Sequence, residues 1–338
     1  LAGLIARPVC PEMPRPMADH AYLAAAIAKF ARVVRPHDAG LSRRCAQAVR
    51  RALGWLAGRT PNPAEHLDVH SALALAKLEL NALRPSRRML ADAEGHIEEV
   101  LGLQQPDGTF RASAGRRGLE MDEERRNRFG YACRFPFAYA LSLVKYADAC
   151  PDGRLRGRAV EALERFTAFG LRLIDRSPFG HLPEFTTDDH PRLVWPGSTG
   201  ASCLSMALLL VATGRLTGEP SRFAAGERCI QWMFGANPRA MSFMVDEGYR
   251  NIGQYAGVHS GTRPEAMTYY NHNRDYRWGM SSGIRGSVGD YGPQPANYPN
   301  AGESMNGRYQ HHGQEVWLLI SGWFLLAGTE LALALAPA

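Results

Sequence analysis

Along the first 235 residues, apolar side chains recur every three to four positions, a spacing that suits amphipathic helices packed on one another. The runs cover about 19–34, 41–57, 66–82, 87–103, 132–149, 153–174, 198–214 and 219–234, and a last one covers 313–335. Residues suited to helix ends stand between them. Asp38 and Ser42 open the second run and Thr60-Pro61-Asn62-Pro63 close it, while Pro85-Ser86 open the fourth and Pro106-Asp107-Gly108 follow it. No run alternates convincingly with the two-residue period of a half-buried strand.

Helices of similar length, joined by short turns and repeating at about 40 to 50 residues, form hairpins that stack as a superhelix or close into a ring. Open solenoids keep their loops short and alike. Here long irregular stretches fall at 104–130, 175–197 and 235–312, so the closed ring fits better. The expected fold is all-α, an (α/α)6 toroid of six helical hairpins, with 1–338 as one domain. Six hairpins need twelve helices and about nine are read here, so the ring is expected to be incomplete at its N-terminus. Loops as long as 235–312 inside a compact domain are usually functional, and that stretch is the expected active-site region.

Composition narrows the classes. Hydrophobic residues make up 45% and charged residues 21%, as in a globular chain without long disorder. The stretch 316–338 is the most apolar, but Ser321, Thr329 and Glu330 interrupt it before the roughly 18 residues that a membrane span requires. It is expected to be a buried helix, with no transmembrane segment in the chain. The net charge is +6, and among 39 basic residues only Lys29, Lys77 and Lys145 are lysines. Arginine and alanine in such excess are expected from a GC-rich, bacterial source, with phosphate or carboxylate recognition as the alternative, and no block of like charges marks a nucleic-acid arm, so no nucleic-acid partner is expected. Cysteines 10, 45, 133, 150, 203 and 229 show no metal spacing, so zinc is not expected and the cysteines read as small buried hydrophobes. The chain starts at Leu1 with neither an initiator Met nor a signal peptide, and reads as a processed or trimmed product.

Two segments carry candidate chemistry. In Trp232-Met233-Phe234-Gly235-Ala236-Asn237-Pro238-Arg239-Ala240-Met241-Ser242-Phe243 a helix stops at Gly235 and Asn237-Pro238 turns the chain away. In Tyr309-Gln310-His311-His312-Gly313-Gln314-Glu315-Val316-Trp317 a polar approach ends in one carboxylate at the mouth of the last helix. The helix dipole there favours the charged form of Glu315, whereas burial beside Trp317 would raise its pKa toward that of a general acid. An ordinary first-turn acid is the plainer alternative.

The series Phe-Gly-Ala-Asn-Pro-Arg-x-Met-Ser-Phe at 234–243, the His- and Arg-bearing loop after it, and Gln-Glu-Val at 314–316 together resemble glycoside hydrolase family 9, the inverting endoglucanases. Trp195-Pro196-Gly197-Ser198 resembles that family's Trp-Gly-Ser element. The likeness is specific from about 195 to 330 and extends weakly over the rest. It implies that Glu315 donates the proton to the glycosidic oxygen and that His259 and Arg263 bind sugar, with His272 and Arg274 competing for the same role. It also implies that Gly292-Pro293-Gln294-Pro295 orients Tyr291 or Tyr298, and that Trp195 and Tyr298 offer stacking platforms for sugar faces. The partner is then an oligo- or polysaccharide, no cofactor or catalytic metal is implied, a structural calcium ion is left open, and a secreted or periplasmic setting is expected.

An inverting reaction also needs a second carboxylate about 6.5–9.5 Å from the acid. In the family it lies in a His-Asp-Ala-Gly-Asp motif. Pro36-His37-Asp38-Ala39-Gly40 has four of those letters but lacks the second Asp, and between two helices Asp38 reads as a turn or cap residue. The base is therefore expected from a segment upstream of Leu1, with Asp188, Asp189, Asp246, Asp275 or Asp290 as substitutes. Two other readings stay open. One is a toroidal polysaccharide lyase on a uronate-containing glycan, using Tyr255, His259, Arg263, Asn271 and His272. The other is a toroid that binds carbohydrate without cleaving it.

Overall fold

A computed structural model describes residues 17–61, 65–113, 116–117, 137–176, 182, 199–236, 242 and 318–336. The chain divides into two compact units, one of Leu1–Leu119 with Ala138–Phe166 and one of Glu120–Phe137 with Thr167–Ala338.

The first unit holds α1 (Met17–Val34), α2 (Ala39–Ala57), α3 (His66–Leu83), α4 (Arg87–Gly102) and α5 (Leu141–Ala149), with one helix at its centre. That helix is α3, which packs on α1, α4 and α5 and is buried on almost every side from Leu67 to Leu80. On α1 the buried positions are nearly all alanine: Ala18, Ala21, Ala24, Ala25, Ala28 and Ala31. Side chains this small let the helix axes approach closely, and Ala24 and Ala28 close a cluster with Ala46, Val49 and Leu80.

Polar groups on the buried helix α3 are met by its neighbours, as burial without partners would cost too much. Tyr22 Oη donates to Asp68 Oδ1 at 3.0 Å, and Ser71 Oγ donates to the Tyr139 carbonyl at 2.8 Å. Glu79 accepts from Arg32 Nε of α1 at 2.5 Å and from Lys145 Nζ of α5 at 3.0 Å. Burial alone would raise the Glu79 pKa, but these two cations outweigh it and hold the carboxyl below its usual value.

The helix ends follow the expected punctuation. Asp38 caps α2, its Oδ1 accepting from Leu41 N at 2.8 Å, and Ser86 caps α4, its Oγ accepting from Met89 N at 3.3 Å. Of the helix expected over 132–149, residues 132–136 lie outside the described residues, and the remainder is helical only in part. Phe137 has φ 57°, a left-handed conformation no helix accommodates, and only a 3-10 turn at Ala138–Ala140 and then α5 follow. A short antiparallel hairpin of β1 (Arg111–Ser113) and β2 (Arg116–Arg117) also stands in this unit, too brief to leave an alternating pattern in the sequence. Gly108 (φ 96°) turns the chain ahead of it, and a Cβ there would lie 2.3 Å from the Arg165 carbonyl oxygen. The helix α6 (Arg156–Arg176) contains the boundary between the units.

In the second unit, α7 (Thr199–Thr217), α8 (Pro220–Met233) and α9 (Leu318–Leu335) form a layer with α7 in the middle. Every residue of α7 from Cys203 to Thr213 is buried. The buried helix expected over 316–338 is buried only in part: Trp323 and Ala327 are buried, but Leu325, Leu333 and Leu335 are 65%, 60% and 71% exposed. Among the described helices α9 packs mainly on α7 and α8, which cover one face of it. No helix among the described residues is long and apolar enough to cross a membrane. Of the cysteines, Cys45, Cys150, Cys203 and Cys229 are free, and Cys10 and Cys133 lie outside the described residues.

Candidate functional site

Glu315, His259, Arg263, Trp195, His272 and Tyr298 all lie outside the described residues, as do Arg274, Tyr255, Asn271, Tyr291 and the five substitute aspartates. What the structure describes is the set of helix ends adjoining them. Thr199, the first residue of α7, follows Trp195-Pro196-Gly197-Ser198; α8 ends at Met233, where the 234–243 motif begins; and α9 starts at Leu318, just after Glu315.

The direction of each helix decides whether those ends meet. Helices α7 and α8 form a tight antiparallel hairpin about Gly218, whose φ is 72°. A Cβ on Gly214 would meet Arg222 and Phe223, and one on Gly226 would lie 2.6 Å from Val211 Cγ2 and 2.9 Å from the Ala207 carbonyl oxygen. Farther along, Cys203 Sγ donates to the Cys229 carbonyl at 3.5 Å. The start of α7 therefore stands beside the end of α8. Two contacts then orient α9. Arg215, near the end of α7, bonds Glu330 near the end of α9, Nε to Oε1 at 2.7 Å. At the other end, the Phe234 ring, just past α8, meets Phe324 edge-to-face with centroids 5.3 Å apart. Helix α9 thus runs parallel to α7.

It follows that the N-terminus of α7, the C-terminus of α8 and the N-terminus of α9 share one end of the layer. Each of these ends is next in sequence to one of the segments 195–198, 234–243 and 314–316. Gly235 (φ 121°) stops α8 there, and Ser242 of the same motif is buried. A helix leaves its first N–H groups and last carbonyls for outside partners. At the end of α8 the Gln231 carbonyl accepts from Phe234 N at 2.9 Å and from Ala236 N at 3.0 Å.

Similar architectures are known. The structure matches a single-mutant thermostable endoglucanase from Alicyclobacillus acidocaldarius with a TM-score of 0.61 at 19% identity, covering 96% of this chain and 56% of that one. A cellulase of C. cellulolyticum in complex with cellobiose gives 0.58 at 12% identity, with 94% and 64% covered. A metagenome-derived glycoside hydrolase family 9 endoglucanase gives 0.56 at 17%, with 93% and 52% covered. The chain shares the fold of these cellulases. It is all-α, of the (α/α)6 toroid class, and spans between about half and two thirds of their length. No family model matches the sequence, and no curated protein matches it.

Asp38, one candidate for the second carboxylate, is engaged elsewhere: it is the N-cap of α2, and its Oδ1 is taken up by the Leu41 amide. A separate polar cluster stands in the first unit, and cysteine spacing gave no hint of it. His66 and His70 on α3 stack with ring centroids 4.3 Å apart, and His66 Nε2 lies 3.5 Å from Glu99 Oε2 on α4. His70 Nδ1 faces His96 Nδ1 at 3.2 Å, and His96 Nε2 faces Lys77 Nζ at 3.1 Å. Since an ammonium only donates, His96 accepts at Nε2 and donates from Nδ1 to His70. Burial, then Lys77, then His70 push the His96 pKa down to about 3, and burial and His66 lower that of His70, so both rings are neutral near pH 7. The signal in the sequence was the pair of spacings His66-x-x-x-His70 and His96-x-x-Glu99 on adjacent helices.

Proposed function

We propose that this chain is the greater part of a glycoside hydrolase of the cellulase type. It cleaves a β-linked glucan or a related oligosaccharide with inversion, and Glu315 is the general acid. The observation that carries the reading is the convergence of three helix ends in the second unit, each of them next in sequence to a segment that holds Trp195, Asn237-Pro238 or Glu315. The shared fold with endoglucanases, one of them in complex with cellobiose, supports the same class of substrate.

In this reading residues 1–338 act as one catalytic-type domain, with the 235–312 loops as the substrate-facing region. Glu315 protonates the leaving oxygen from the entrance of α9. His259 and Arg263, or His272, hold sugar hydroxyls, and Trp195 and Tyr298 stack on sugar faces. No residue is assigned as the base, because Asp38 spends its carboxylate on capping α2. A single displacement by water requires that second carboxylate, so its partner group is to be sought among acids other than Asp38.

Product analysis tests the class. Incubated with cellooligosaccharides and followed by proton NMR, a hydrolase of this kind yields α-anomeric reducing ends first, before mutarotation. An initial β-anomer would contradict inversion. Products absorbing in the near ultraviolet from a uronate-containing glycan would favour the lyase, and binding without any product would favour the non-catalytic toroid.

A further inference from the structure

We propose that His66, His70 and Glu99 form a binding site for a divalent transition-metal ion, zinc above all, that staples the open end of the α3–α4 hairpin. The inference is independent of the glycosidase reading and uses only the first unit.

Helices α3 and α4 are joined by Arg84-Pro85-Ser86 and pack against each other, so the first turn of α3 lies beside the last turns of α4. The four-residue spacing of His66 and His70 puts both imidazoles on one face of α3, and Glu99 projects toward them from α4. One ring nitrogen of each histidine and a carboxylate oxygen of Glu99 lie within 4.8 Å of one another. One of these separations, His66 Nε2 to Glu99 Oε2, is 3.5 Å. Ligands about 2.0–2.1 Å from a tetrahedral zinc ion stand about 3.4 Å apart, so the three donors need only a small contraction around an ion.

The donor set selects the metal. Two imidazoles and one carboxylate suit zinc and its neighbours, whereas calcium and magnesium take oxygen ligands throughout. Glu99 is more than half exposed and His66 a third exposed, so water can fill the remaining coordination position. Behind His70 stands His96, itself backed by Lys77, in the place of an outer partner that fixes the orientation of a ligating ring. With Nδ1 of His70 turned to His96, Nε2 takes the metal in place of a proton, and binding expels that proton. An exposed His66–Glu99 ion pair alone would contribute little to stability, and would not require His70 and His96 to gather beside it.

The test uses the full chain, stripped with a chelator and titrated with zinc sulfate by calorimetry. Wild type should bind one more equivalent of zinc than His70→Ala, and Glu99→Gln should bind that equivalent at least tenfold more weakly. Zinc should raise the Tm of wild type by several degrees and leave that of His70→Ala unmoved. His37→Ala, an exposed histidine elsewhere, should behave as wild type. Should His70→Ala fold poorly, Glu99→Gln, altered at an exposed carboxylate, makes the comparison instead. Equal stoichiometry and affinity in wild type and Glu99→Gln would overturn the proposal.

Discussion

Arg215 and Glu330, 115 positions apart in the chain, meet Nε to Oε1 at 2.7 Å and lock the far ends of α7 and α9 together. Their side chains are 28% and 14% exposed, so solvent screens the pair only in part. With the Phe234–Phe324 contact at the other end, this pair fixes the direction of α9 and hence which end holds its first residue, Leu318. A double-mutant cycle on Arg215→Met and Glu330→Gln should give a coupling energy of about 1 kcal/mol by urea unfolding. A coupling near zero would mean the pair does not hold α9 in place.

Gly226 is the point of closest approach between α7 and α8. An added methyl would press on Val211 Cγ2 and on the Ala207 carbonyl oxygen, and a backbone carbonyl has little room to retreat. Gly226→Ala should therefore destabilise the fold by about 1–3 kcal/mol despite alanine's better helix propensity, as read from thermal or urea denaturation. A neutral or stabilised variant would show that the hairpin is looser than described.

Glu79 ties three helices of the first unit together through Arg32 and Lys145. Its folded-state pKa is depressed below 4.5, so its contribution is present above pH 4.5 and is lost as the pH falls through the folded value. At pH 7 Glu79→Gln should cost about 2 kcal/mol, since it removes a charge from two charge-assisted hydrogen bonds. As the pH falls below 4.5 the stability gap between the variant and wild type should close. A gap that stays constant with pH would show that the ionised carboxylate is not what matters.

Asp38 separates a capping role from a catalytic one. Asp38→Ala should lower stability by about 1 kcal/mol, the usual loss on removing an N-cap, and leave turnover within about twofold. Loss of turnover with unchanged stability would make it the missing base instead.

Helix positions were legible in the sequence because burial of one helix face imposes its period on the residues: α3, α4 and α8 begin and end within a residue or two of the apolar runs. Capping was legible for the same local reason at Asp38 and Ser86. Phe137 was not, since nothing in a phenylalanine announces a left-handed backbone. The partial exposure of α9 was hidden as well, because an apolar helix does not state how many neighbours cover it. Of the candidate site, motif order alone suggested that 195–198, 234–243 and 314–316 belong together, while the shared end of the helices that follow or precede them in sequence is read from the direction of α9, given by the Arg215 and Phe324 contacts. The histidine cluster follows no cysteine spacing; its trace in the sequence is the four-residue helical interval of His66 and His70, which many surface helices share.

The central claim rests on the carboxyl group at the entrance of α9. Glu315→Gln, assayed on cellooligosaccharides alongside a direct binding measurement, should lower kcat by at least about a thousandfold while changing glycan affinity less than about threefold. Turnover persisting in that variant, in a chain that hydrolyses the substrate when Glu315 is present, would contradict the account.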